Sequence, residues 1–147
     1  MRKYLLFLNL IVLCLLNACH SFVCGPVSEV GNGDWAVRFN NDYAIWHVSS
    51  DCIILGKEDD SHSSLSHVID SYISAFRYNE NYIIVERLAE GKNKKDIKEY
   101  YVIDTVCDKI HGPYTEKTLE VVILNKQLGA LSDWVPTSPK PAEAVFD

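Results

Sequence analysis

From Asp34 onward the apolar side chains come in short runs, and each run is closed by a cluster of Asn, Asp, Ser or Gly. Punctuation of this kind restricts the chain to short β-strands joined by tight turns, because a packed helix needs an unbroken 3.6-residue pattern. Trp35 to Phe39 alternates, with Trp35, Val37 and Phe39 on one face. Asn40-Asn41-Asp42 predicts a turn, since these side chains tolerate left-handed backbone. Tyr43 to Val48 returns as a strand, Ser49-Ser50-Asp51 turns, and Cys52 to Gly56 runs back. Glu58 to Ser66 reads as a polar loop. Val68 to Tyr78, Tyr82 to Leu88 and Tyr100 to Val106 read as further strands, with Gly91 to Lys98 a charged loop. Cys107-Asp108-Lys109 then turns into a short extended piece at Ile110.

Arg38 to Ile45 matches Arg77 to Ile84 in kind: an aromatic strand end, a three-residue polar turn, then Tyr-x-Ile. Two hairpins with similar loops look alike in any case, and that reading is preferred over a pair of related meanders. Gly112-Pro113-Tyr114 breaks the strand pattern. Thr115 suits an N-cap, Glu116 suits the first turn, and Leu119, Val122 and Ile123 recur at helical spacing, with Val121 and Leu124 widening the stripe. Thr115 to Leu128 is thus the expected helix, with Gly129 as its C-cap glycine. After Trp134, Pro136, Pro139 and Pro141 argue against regular structure. The expected fold class is α+β, a small antiparallel β-meander sheet with one C-terminal helix packed on it. The strand Tyr82–Leu88 is apolar on both sides, Ile84 on one and Ile83 with Val85 on the other. The helix would cover one side, and the first meander would fold over the other.

The N-terminal segment points elsewhere. Arg2 and Lys3 precede an apolar run from Tyr4 to Leu16 that only Asn9 interrupts. It is too short for a spanning helix, which needs about 20 residues, and it has the layout of an export signal. Leu16-Asn17-Ala18-Cys19 resembles the lipobox of bacterial lipoproteins: an aliphatic residue, a small residue, then the cysteine, with Asn17 departing from the usual choice. The resemblance implies cleavage before Cys19 and acylation of its sulfur, so that acyl chains carry the protein into membrane lipid. The alternative is an ordinary cleaved signal, although Leu16 is large for that route. The expected organisation is a signal peptide over 1–18, a lipidated N-terminus and Gly/Pro-containing tether over 19–33, a globular domain over 34–135 and a Pro-rich tail over 136–147. The expected location is extracytoplasmic, lipid-anchored at the cell membrane or outer membrane.

The domain carries a second resemblance. Tyr100-Tyr101-Val102-Ile103-Asp104-Thr105, then Gly112-Pro113-Tyr114 and a helix, resembles a family of small bacterial lipoproteins known only as a domain of unknown function. It implies location and fold and carries no catalytic residue.

With Cys14 lost with the signal and Cys19 acylated, Cys24, Cys52 and Cys107 remain. Three pairings are possible. Cys24 sits in the tether, so Cys52–Cys107 is the pair internal to the domain, and closing that loop would add roughly 4 kcal/mol. The alternative is three free thiols, as in a host without oxidative folding machinery. No C-x-x-C indicates a zinc ribbon or thioredoxin-type site.

The chain has 14 basic and 20 acidic residues. Loss of Arg2 and Lys3 with the signal leaves 12 basic residues, a net charge of −8. Such a surface repels phosphate backbones and anionic lipid, which argues against nucleic-acid binding. Glu58, Asp59, Asp60, Ser61, His62, His67 and Asp70 are the densest set of ligand-type side chains, but their spacing fits no metal frame and reads as a solvated loop. Ser63, Ser64 and Ser66 lack a nucleophile elbow. Asp104 suits a turn cap, His111 a surface turn and His47 a packed position. The absence of a glycine-rich phosphate loop leaves no cofactor to expect. Among Tyr72, Phe76, Tyr78, Tyr82, Tyr100, Tyr101 and Tyr114, most are expected to pack and one or two to be exposed. The leading expectation is a non-enzymatic envelope module that binds or inhibits a protein partner, a cationic one by charge. The alternatives are a small hydrolase using Glu58–Asp70 and a structural role in envelope assembly.

Overall fold

The computed structural model describes residues 34–49, 52–61, 64–90, 96–138 and 141–142. The expected signal, Cys19 and tether lie outside them. The strands are β1 (Trp35–Arg38), β2 (Tyr43–Ser49), β3 (Cys52–Glu58), β4 (Leu65–Ile69), β5 (Ile73–Tyr78), β6 (Tyr82–Glu90), β7 (Asp96–Asp104), β8 (Lys109–Tyr114) and β9 (Val135–Pro136). The helix α1 (Glu116–Lys126) stands between β8 and β9. The domain is α+β, as expected, but its strands divide into two antiparallel sheets rather than one. The first has the order β1-β2-β3-β4 and the second β8-β7-β6-β5-β9.

The division follows from the alternation. Trp35, Val37, Tyr43, Ile45 and Leu55 point from the first sheet into a core they share with Phe76, Ile83, Val85 and Ile103 of the second. Phe39 meets Phe76 and Tyr78 edge-on at 5.6 and 5.2 Å, a favourable aromatic geometry. Ile84, on the opposite face of β6, packs with Tyr100, Val102, Leu119 and Leu128 under the helix. Both faces of β6 are therefore covered in the way its sequence demands. The two similar turns also meet: Asn40 Nδ2 donates to the Glu80 carbonyl at 3.1 Å. Asn41 and Asp42 take φ of 60° and 63°, the left-handed backbone their side chains tolerate.

Several elements differ from expectation. Glu58 ends β3, and the supposed loop and single strand resolve into β4 and β5. Residues 70–72 carry the chain between sheets, held where Arg87 Nε donates to the Ser71 carbonyl at 2.8 Å. Gly56 is required at the β3–β4 crossing, since a Cβ there would sit 2.3 Å from the Ser66 carbonyl oxygen. β8 runs through Gly112-Pro113 rather than stopping before it; Gly112 has φ of 136° beside a shift in the β7–β8 register. The helix is capped by Thr115, whose side chain accepts from the Thr118 amide. It ends at Gln127 in left-handed backbone, not at Gly129. Leu119, Val122 and Ile123 face the sheet, whereas Val121 and Leu124 are exposed. Val135–Pro136 forms an edge strand on β5, where a missing amide proton is tolerated. Thr137 then docks its hydroxyl on the Ile73 carbonyl at 2.8 Å.

The expected Cys52–Cys107 bond is not present. Cys107 is a free, exposed thiol. Cys52 is disulfide-bonded, and its partner is not Cys107. The reason is distance. Asp108, next to Cys107, pairs with Lys57 at 2.9 Å. Lys57 is five residues along β3 from Cys52, roughly 16 Å at strand rise. A disulfide needs its Cα atoms within about 7 Å.

Candidate binding cleft

The helix packs over β7 and β8 and leaves the β5–β6 side of the outer face open. There the second sheet, the helix and the chain before β9 enclose a hollow of about 430 Å³. Its floor is Ala75 and Arg77 of β5, Glu86 of β6 and Tyr100 of β7. One wall is Glu116 and Glu120, four residues apart on the helix, and the other is Trp134.

Glu86 is the fixed point of the floor. Its carboxylate accepts from Ser74 Oγ at 2.8 Å, Tyr100 Oη at 2.9 Å and Lys98 Nζ at 2.9 Å. Burial works against its charge, but the donors from Lys98, Ser74 and Tyr100 outweigh it and hold the carboxyl below the usual carboxylate range. Tyr100 is pushed far the other way, by burial first and then by its bond to Glu86. Neither group is poised for proton transfer near neutral pH, since one stays ionised and the other stays protonated.

Arg77 differs. Its guanidinium lies 4.9 Å from the centre of the Trp134 ring. Its Nε is buried and has no hydrogen-bond acceptor among the described residues. Burial pulls its pKa down. Glu116 and Glu120 are exposed. Like charges four residues apart repel on a helix, by a few tenths of a kcal/mol. The cleft thus offers an aromatic wall, a guanidinium set over it and two open carboxylates.

A larger hollow, about 580 Å³, lies between the turns at Asn40 and Asn79. Its polar groups are used internally. Asn79 Nδ2 donates to the Leu128 carbonyl at 2.7 Å, and Ser132 Oγ accepts the Tyr78 amide at 3.0 Å. It is a seam between the sheets and the C-terminal segment.

The residues singled out from sequence are scattered. Glu58 is buried, accepting from Trp46 Nε1 at 2.6 Å and from Arg38 Nε at 2.8 Å. Asp59 accepts from Ser61 Oγ at 2.9 Å, and His67 Nδ1 sits 3.1 Å from Asp70 Oδ1. His62 and Ser63 lie outside the described residues. No group of three His, Cys, Asp or Glu side chains able to hold a metal exists among the described residues. Asp104 caps its turn, accepting the Cys107 amide at 2.8 Å. His47 stacks on Trp35 at 5.1 Å. Tyr72 is exposed, whereas Phe76 and Tyr100 are buried. Sequence reasoning missed Arg77, Glu86 and Trp134. The four-residue spacing of Glu116 and Glu120 was the one visible sign of the cleft.

Residues 40–127 match the profile of a family described as a protein of unknown function, DUF3997. No curated protein and no solved structure matches the chain.

Proposed function

The chain belongs to the DUF3997 family, and we propose that it is a non-enzymatic binding module, anchored at the cell envelope through acyl chains on Cys19, that takes a protein partner presenting cationic side chains. The observation that carries this reading is the Arg77 guanidinium, set over the Trp134 ring, beside the open carboxylates Glu116 and Glu120. An extended polypeptide supplies both complements at once. Its carbonyl oxygens accept from the guanidinium, and a Lys or Arg side chain answers the carboxylates along the face of an aromatic wall. A simple cation would leave Arg77 unanswered, and a simple anion would meet repulsion from the helix. The net charge of −8 expected for the processed chain favours encounter with a basic partner. The export signal and the Leu-Asn-Ala-Cys sequence support the anchor.

Site-specific photo-crosslinking in cells tests both parts. A photoreactive residue replacing Glu120 should capture one protein in the membrane fraction, through a segment containing Lys or Arg. A photoreactive residue replacing Asp60, on the exposed β3–β4 turn, should not. Equal capture at both positions contradicts the cleft. A Cys19→Ala protein that stays with membranes, as the parent does, contradicts the anchor.

A further inference from the structure

The charges in the cleft are of both signs, and they do not all face a ligand. Arg77, Glu86, Lys98, Glu116 and Glu120 line the hollow. Glu86 and Lys98 pair with each other at 2.9 Å, and Ser74 and Tyr100 donate to the same carboxylate. That pair is internal to the floor and neutral as a unit. The charges left to meet a ligand are one guanidinium on the sheet and two exposed carboxylates on the helix.

Arg77 suits an anion better than a neutral acceptor. Its guanidinium sits over the Trp134 ring, 4.9 Å from the ring centre, and its Nε is buried. The edge left to a ligand is the pair of terminal amino groups, whose parallel N–H bonds match the two oxygens of a carboxylate. Burial works against the Arg77 charge. A carboxylate offsets that cost more fully than a peptide carbonyl does, because a hydrogen bond between two charged groups is stronger.

A carboxylate alone meets repulsion from Glu116 and Glu120, and a cation alone meets it from Arg77. One residue answers both when it ends a chain: a basic residue with a free α-carboxylate. The size of the hollow agrees. At about 430 Å³ it lies at the lower end of small-ligand pockets, roughly 300–1,000 Å³, which suits a chain end rather than a long bound strand. Glu116 and Glu120 stand about 6 Å apart along the helix axis, so the head of a flexible Lys or Arg side chain meets a carboxylate over a full helical turn.

We propose that the cleft recognises the C-terminal end of its partner, a final Lys or Arg whose α-carboxylate sits on Arg77 and whose side-chain cation is answered by Glu116 and Glu120. The inference rests on the cationic-partner reading above and deepens it. The stem of the side chain crosses the hollow between the two charged sets, with Trp134 as its apolar wall. An internal Lys or Arg brings Arg77 only a neutral carbonyl, and so does an N-terminal one. The cleft therefore selects one end of a polypeptide as well as its charge.

Calorimetry on the full-length protein with three ligands tests this. They are a short peptide ending in Lys with a free carboxylate, the same peptide as its C-terminal amide, and free lysine. The carboxylate form should bind at least about tenfold more tightly than the amide, as for the loss of a charged, two-pronged bond. Equal binding of the two overturns the terminal carboxylate and leaves the cationic-partner reading in place. Binding of neither overturns both. Free lysine has the same two groups without the preceding chain and should bind at least about tenfold more weakly than the peptide acid. Free lysine binding as tightly as the peptide acid overturns a polypeptide end as the source of these groups. Arg77→Gln, with its fold checked by circular dichroism, should reduce the difference between acid and amide to less than about threefold. A tenfold difference that persists in that variant overturns the placement of the carboxylate on Arg77.

Discussion

Arg38 Nε lies 3.0 and 2.8 Å from the two carboxylate oxygens of Glu58, which is almost fully buried. The pair joins the first and third strands of the first sheet, and Trp46 donates to the same carboxylate. Removing the charge of Glu58 takes the carboxylate from the Arg38 guanidinium and the Trp46 indole together. Glu58→Gln should lower the unfolding free energy by about 2–3 kcal/mol, below the 3–5 kcal/mol of a fully buried pair because Arg38 keeps some contact with water. Urea unfolding followed by tryptophan fluorescence measures it. A loss under about 0.5 kcal/mol would mean the pair is solvated.

Gly56 has no room for a methyl group, because a Cβ would also fall 2.6 Å from Leu65 Cγ. Gly56→Ala should force β3 and β4 apart and cost about 2–4 kcal/mol, at the upper end of overpacking penalties. Gly129 has φ of 79° but open space beyond ordinary contact at 3.7 Å. Gly129→Ala should therefore cost only backbone strain, about 1 kcal/mol. Equal thermal midpoints for the two variants would contradict the packing described at Gly56.

Glu86 has a lowered pKa in the folded protein, because the bonds from Lys98, Ser74 and Tyr100 outweigh its burial. The folded state then binds its proton less tightly than the unfolded state does. The stabilisation is present above the unfolded value, about 4.3, and is lost as pH falls through the folded one. Tyr100 has a raised pKa, by burial and by Glu86. Its stabilisation is present below the unfolded value of about 10 and is lost as pH rises above it. The denaturation midpoint should therefore fall as pH drops below about 4.3, and again as it rises above about pH 10. Glu86→Gln should flatten the acid limb and lower the plateau. An unchanged acid limb in that variant would remove Glu86 from the account.

Trp134 forms the wall of the cleft and stacks under Arg77 at 4.9 Å. Its ring centre is 6.0 Å from that of Tyr100. Trp134→Ala should weaken binding of a Lys-containing peptide by at least about tenfold, as an aromatic anchor does. The fold should persist, since the shared core does not include this ring. Circular dichroism beside the binding measurement separates the two effects.

The strands that alternate cleanly could be read from sequence, and the exceptions have physical causes. β4 is Leu-Ser-His-Val-Ile, short and set among serines and histidines, so its polar neighbours concealed it. β8 carries Gly112 and Pro113; it is an edge strand, where both residues are tolerated. The split into two sheets depends on the turn at 70–72, which has no glycine or proline to mark it. The cleft was least visible. Arg77 and Trp134 are far apart in the chain, and their contact depends on β9 pairing with β5, a consequence of tertiary structure. The cysteine pairing failed because spacing along the chain says nothing of which end of a strand a thiol occupies.

A titration against the cleft tests the central claim most directly. An extended peptide carrying Lys and Arg, and the same peptide with Glu in their place, would be added to the protein and binding followed by calorimetry. The predicted result is saturable binding of the basic peptide alone, weaker as salt rises, and weaker by about fivefold in the double variant Glu116→Gln, Glu120→Gln, as expected for the loss of two exposed ion pairs. Equal binding of both peptides, or no change in the double variant, would contradict it.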